Sequence, residues 1–226
     1  MSSRQRGNIL FLILLAVVLF AALAYAVTSS MRGGGKDGGA EKLDLLAAQL
    51  LQNMSLIETT MTRAMMINGI KEWGFDFNRP GGTASTNNTC QQTECRIFTE
   101  KNGPVPYFDI PVEAMSDPSQ NRGYYNVAQV VNVGTSAPDI LVSYNYVSAG
   151  FCSALNKALN LNDISMTVSD NIGGTDNNYS GTLTSIPPST GVIGDTNATL
   201  VGKKAACYPI STSPPIYRFH YVIMER

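Results

Sequence analysis

The hydrophobic pattern of this chain changes character three times. From Ile9 to Val27 it is a run of 19 residues without a single charge, built mostly of Leu, Ile, Val, Phe and Ala. A helix of that length rises about 28 Å, close to the roughly 30 Å hydrocarbon core of a bilayer. A soluble helix keeps a polar face, and this run has none along its length. The pattern predicts one membrane-spanning helix over residues 8–27. Residues 28–40, Thr-Ser-Ser-Met-Arg-Gly-Gly-Gly-Lys-Asp-Gly-Gly-Ala, read as a flexible linker. Each glycine there costs a helix about 1 kcal/mol relative to alanine, so the helix is expected to break.

Periodicity then becomes helical. Leu43, Ala47, Leu50, Met54, Ile57, Met61 and Met65 recur at steps of three and four, and Leu46, Leu51 and Ala64 widen the stripe. Gln49, Gln52, Asn53 and Glu58 fall elsewhere. The spacing predicts an amphipathic helix from Glu41 to Ile67, within a segment 41–72, with Asn68-Gly69 as its C-cap. The methionine-rich end (Met61, Met65, Met66) is read as packing on the protein's own sheet rather than as an adaptable partner surface.

After Trp73 the pattern shortens into strands and turns. Arg96 to Glu100, Tyr107 to Ile110, Tyr124 to Val133 and Asp139 to Val147 are predicted strands. Phe151 to Leu161 returns to helical spacing, and Ile216 to Met224 is a final strand of alternating, aromatic character. Residues 170–200, rich in Asn, Gly, Thr, Ser and Pro, read as surface loops. The fold class expected is α+β: an N-terminal transmembrane helix, a Gly-rich linker, and an amphipathic helix packed on an antiparallel sheet. The mainly-β domain would occupy residues 73–226.

Composition narrows the function. Only 15% of residues are charged, the formal net charge is -1, and no basic stripe is visible, which argues against nucleic acid as a partner. Four cysteines, Cys90, Cys95, Cys152 and Cys207, lack zinc-site spacing and supporting histidines. An even count in a loop-rich domain reads as two disulfides, which persist in oxidising compartments. Three connectivities are open. The preferred one joins Cys90 to Cys95 in a tight loop and Cys152 to Cys207 across the Asn- and Gly-rich region, and sequence alone does not select it. Arg4 and Arg6 precede the apolar run, so the positive-inside rule leans toward a cytoplasmic N-terminus and an exported domain. A second reading takes Ala24-Tyr25-Ala26 as a signal-peptidase site, which would release a soluble protein beginning at Val27.

The stretch Arg4-Gln5-Arg6-Gly7-Asn8-Ile9-Leu10-Phe11-Leu12 resembles the class III leader of type IV pilins and pseudopilins. The resemblance implies cleavage by a prepilin peptidase between Gly7 and Asn8, methylation of the new N-terminus, and retention of the apolar helix. It also implies other pilin-like subunits as partners and a bacterial inner-membrane location. Asn8 stands where the family usually has Phe or Met, and Leu12 where it usually has glutamate; that departure implies either a minor or tip-like subunit or one that is anchored and never polymerised. The helix opening Phe151-Cys152-Ser-Ala-Leu is similar to the disulfide-closed C-terminal region of such proteins.

No catalytic constellation is visible. His220 is the single histidine and sits between Phe219 and Tyr221 in the last predicted strand, a structural setting. Asp163, Asp170, Asp176 and Asp195 lie in or near loops without a full calcium-loop spacing. The tripeptides at Asn53, Asn87, Asn178 and Asn197 fit the glycosylation acceptor pattern by chance. The expectation is a non-enzymatic pilin-like subunit of a type IV pilus or type II secretion-like system, with no cofactor or metal. The alternative is a single-pass or secreted ligand-binding domain with no filament role.

Overall fold

A computed structural model describes residues 38–78, 87, 89–98, 103–162, 179, 181, 191–212 and 214–226. Backbone contacts divide the chain into two units, Met1–Lys42 and Leu43–Arg226. Gly7, Asn8, the apolar run 8–27 and most of the linker lie outside the described residues.

The long helix, α1, spans Gly38–Asn68. It takes in the last three residues of the predicted linker, because first-turn N–H groups lack intrahelical partners anyway and Ala40 and Glu41 favour a helix start. It stops where predicted. Gly69 takes φ +64, a left-handed value that suits glycine, and the Ile70 N–H donates to the Ala64 carbonyl at 3.4 Å. The predicted stripe is buried: Leu46, Ala47, Leu50, Met54, Ile57, Met61 and Ala64 all join the main core. The methionines divide, with Met61 buried, Met65 partly buried and Met66 81% exposed.

Two of the predicted strands near the start of the domain do not form as such. Arg96 to Glu100 contributes only isolated bridges, Asp76 with Arg96 and Phe98 with Val105, and residues 99–100 lie outside the described residues. Tyr107 to Ile110 is irregular. Pro104, Pro106 and Pro111 surround it, and each removes a donor that a ladder needs. The remaining elements are β1 (Tyr124–Val130), β2 (Asp139–Val147), α2 (Ala149–Ala158), β3 (Val192–Ile193), β4 (Ala205–Thr212) and β5 (Pro215–Met224). β1 ends three residues early because Asn132 adopts φ 60 and turns the chain. α2 starts at a Ser148 cap, whose hydroxyl oxygen accepts from the Phe151 N–H at 3.2 Å.

The sheet runs in the order β3-β1-β2-β5-β4. β1, β2, β5 and β4 pair antiparallel, but β3 lies parallel to β1, with Gln129 opposite Val192 and Val130 opposite Ile193. This corrects the expected fold. The sheet is mixed rather than antiparallel, since β3 reaches the β1 edge only after a long connection, as parallel pairing requires. Among the described residues no helix is long and apolar enough to cross a membrane, and α1 owes its length to an amphipathic face. The pilin-like arrangement is therefore set aside as a description of the fold.

β2 is central and buried on both faces. Ile140, Val142 and Tyr144 share the main core with α1, α2 and Phe219. Leu141 faces a smaller second core with Ala128, Val130, Ile193, Leu200, Ala206, Tyr208 and Val222.

Candidate functional site

A second face of α1, about 120° round the helix from the centre of its buried stripe, carries apolar residues of its own. Leu45 is 59% exposed, Leu56 43% and Ile67 68%. Eleven residues make just over three full helical turns, so these three side chains fall close to one line, about 16 Å apart. Met66 flanks the last of them and, with Ser55, Thr59, Thr62 and Arg63, lines a shallow depression of about 500 Å³. Sequence reasoning missed this line, because it sought one stripe at steps of three and four; the signal available was the repeated eleven-residue step.

Polar clamps hold α1 while that face stays open. Glu58 accepts from Lys204 Nζ at 2.7 Å through Oε1 and from the Tyr221 hydroxyl at 3.1 Å through Oε2. Lys204 also reaches Glu225 Oε1 at 3.0 Å. Burial pulls the Lys204 ammonium toward a lower pKa, but its bonds to the two glutamates outweigh it and the net shift is upward. Burial and the neighbouring Glu58 charge push the Tyr221 phenol up. Near the start of the helix, Lys157 of α2 pairs with Asp44.

Both cysteine pairs form as preferred: Cys90 with Cys95 and Cys152 with Cys207. Beside the second, the Asn156 side chain bonds both ways to the backbone of residue 207. Its Nδ2 donates to the carbonyl at 2.8 Å and its Oδ1 accepts from the N–H at 2.9 Å. α2 is thus joined to edge strand β4 by a covalent bond and a bidentate amide.

The other residues singled out from sequence are structural where described. His220 is fully buried in β5, its Nε2 3.0 Å from the Lys203 carbonyl and its ring edge-on to Tyr208. Asn87 is buried, with Nδ2 donating to the carbonyls of Trp73 at 2.7 Å and Phe75 at 2.9 Å, so its amide is committed rather than presented. Asn197 closes a turn on Thr199, and Asn53 donates to the Pro106 carbonyl at 3.1 Å. Asn178, Asp163, Asp170 and Asp176 lie outside the described residues, and Asp195 is exposed. Among the described residues no group of three acidic, His or Cys side chains is placed to hold a metal ion.

One buried carboxylate was not anticipated. Asp139, at the start of β2, has no exposed surface; its oxygens accept from the Arg226 N–H at 2.9 Å and the Val130 N–H at 3.3 Å. Burial raises its pKa, the two N–H donors oppose the rise, and the result is about 6. No family model, no curated protein and no solved structure matches this chain.

Proposed function

We propose that this chain is a non-enzymatic, membrane-anchored subunit of a type IV pilus or type II secretion-like assembly, acting through contacts between subunits. What supports the reading is the exposed line Leu45, Leu56 and Ile67 on α1, a helix tied to the rest of its domain by the Glu58–Lys204 pair. Spaced apolar residues on a clamped helix suit docking against another helix. The basic leader ending at Gly7 and the apolar run after it supply the processing and anchoring half of the proposal. On this reading the chain sits in a bacterial inner membrane, with a cytoplasmic N-terminus and the disulfide-bonded domain periplasmic or extracellular. Its partners are a prepilin peptidase and other pilin-like subunits.

Mass spectrometry of the native N-terminus tests the first half. A start at Asn8 is the expected result, and a start at Val27 would describe a secreted protein and end the proposal. A photo-crosslinking residue at position 56 tests the second: a crosslink to another membrane-anchored subunit is expected, and labelling by lipid or solvent alone counts against it. A single-pass or secreted ligand-binding domain is the second reading, favoured by a groove of about 430 Å³ lined by Trp73, Asn68, Lys71, Gln91 and Gln92.

A further inference from the structure

Trp73 is the single tryptophan of the chain, and it is 49% exposed although its backbone is tightly held. It lies in a short 3-10 turn, Glu72–Gly74, that follows the end of α1. The Asn87 amide holds the Trp73 carbonyl, and the Gly74 N–H donates to the Lys71 carbonyl at 2.7 Å. The Glu72 carboxylate accepts from Arg226 Nε at 2.9 Å. An exposed aromatic ring on a fixed backbone is not explained by packing.

Trp73 lines a groove of about 430 Å³ together with Ile70 and Cys95. Its walls come from two stretches of chain: Asn68 and Lys71 belong to the stretch that carries Trp73, and Thr89, Gln91 and Gln92 to residues 89–95. The second wall is as fixed as the first. The Cys90–Cys95 disulfide closes the loop that carries Gln91 and Gln92. Asn87 joins the two walls, because the amide that binds Trp73 also accepts from the Thr89 N–H at 2.9 Å and hydroxyl at 2.6 Å through Oδ1. A second tie is Asp76, whose N–H donates to the Cys95 carbonyl at 2.9 Å and whose carbonyl accepts from the Ile97 N–H at 3.1 Å. Gly181 packs so closely on Asn87 that a Cβ there would sit 2.3 Å from Asn87 Oδ1.

We propose that this groove is a saccharide-binding site, with Trp73 as the stacking platform and Asn68, Gln91 and Gln92 as the groups that engage hydroxyls. The chemistry fits in three respects. A pyranose ring has an apolar C–H face that an aromatic ring covers, and a rim of hydroxyls that side-chain amides bind as both donors and acceptors. The described lining has one charge, Lys71, so it does not select a polyanion. The walls are fixed before the ligand arrives, so little ordering entropy is lost on binding. The site is independent of assembly: it remains whether the chain is a filament subunit or a free domain.

The tryptophan is its own reporter. The full chain, purified in detergent with its disulfides intact, is titrated with chitotetraose, maltotetraose and cellotetraose while Trp73 emission is followed. A saturable change with at least one of the three, half-complete in the millimolar range or below, is expected. Calorimetry on Trp73→Ala should then show binding weakened at least tenfold, with Trp73→Phe retaining part of it. Gln92→Ala should weaken it severalfold without moving the thermal transition. Absence of a saturable response to all three sugars at 10-fold higher concentration overturns the assignment, as does undiminished binding by folded Trp73→Ala.

Discussion

Single side chains carry much of what distinguishes this domain, and Asn156 is the clearest case. Its amide satisfies both polar groups of residue 207 inside the core, where neither can reach water. Asn156→Ala orphans the two together and should cost about 2 to 3 kcal/mol, read as a lower urea midpoint with an unchanged slope. Asp139 gives a pH signature. Its folded pKa of about 6 lies above the ordinary value of 3.8, so the folded state holds the proton more tightly. The sign follows: its contribution to stability is fullest below pH 3.8 and is lost as pH rises through 6. Glu225 strengthens the effect and Arg226 opposes it. A carboxyl-carbon NMR titration should place the midpoint near 6. Between pH 4 and 7, Asp139→Asn should remove this group's part of the decline in melting temperature.

The elements differ in how far they could be read from sequence. α1, β2 and β5 were legible because each repeats its period over enough residues to average out exceptions. β4 was not: it reads Ala-Ala-Cys-Tyr-Pro-Ile-Ser-Thr, with weak alternation and a proline that suits only an edge. β5 supplies the pairing that makes it a strand, and that partner is a tertiary fact. The two-residue β3, and with it the parallel pairing that makes the sheet mixed, had no local signal at all. The same holds for the site. Trp73 and Asn87 are each visible as residues, but only the fold shows one ring exposed and one amide spent on holding it. α1 itself offers a contrast between its faces. Leu50→Ala, in the buried stripe, should cost about 2 to 5 kcal/mol. With the photo-reactive residue kept at position 56, the double change Leu45→Ser and Ile67→Ser should shift stability by about 1 kcal/mol in total, yet abolish the crosslink between subunits. Thermal melts and crosslinking yield on the same samples separate the two effects.

At the scale of the whole molecule, the chain combines an apolar N-terminal run with a domain tied together by a few long-range links. Lys204 gathers Glu58 of α1 and Glu225 beyond β5, so the first and last parts of the domain share one cation. Partly exposed pairs of this kind contribute about 1 kcal/mol or less each, so the burial of the α1 stripe does most of the holding. The Cys152–Cys207 bond acts differently, since it survives when everything around it has come apart. Seized at Leu43 and Arg226 and stretched, the oxidised domain cannot pay out the chain between its bonded cysteines, which are separated by 55 residues. Optical-tweezers traces should therefore show a contour length shorter by about 190 Å than that of the Cys152→Ala, Cys207→Ala variant. A surface-tethered protein under drag would meet that limit as a hard stop.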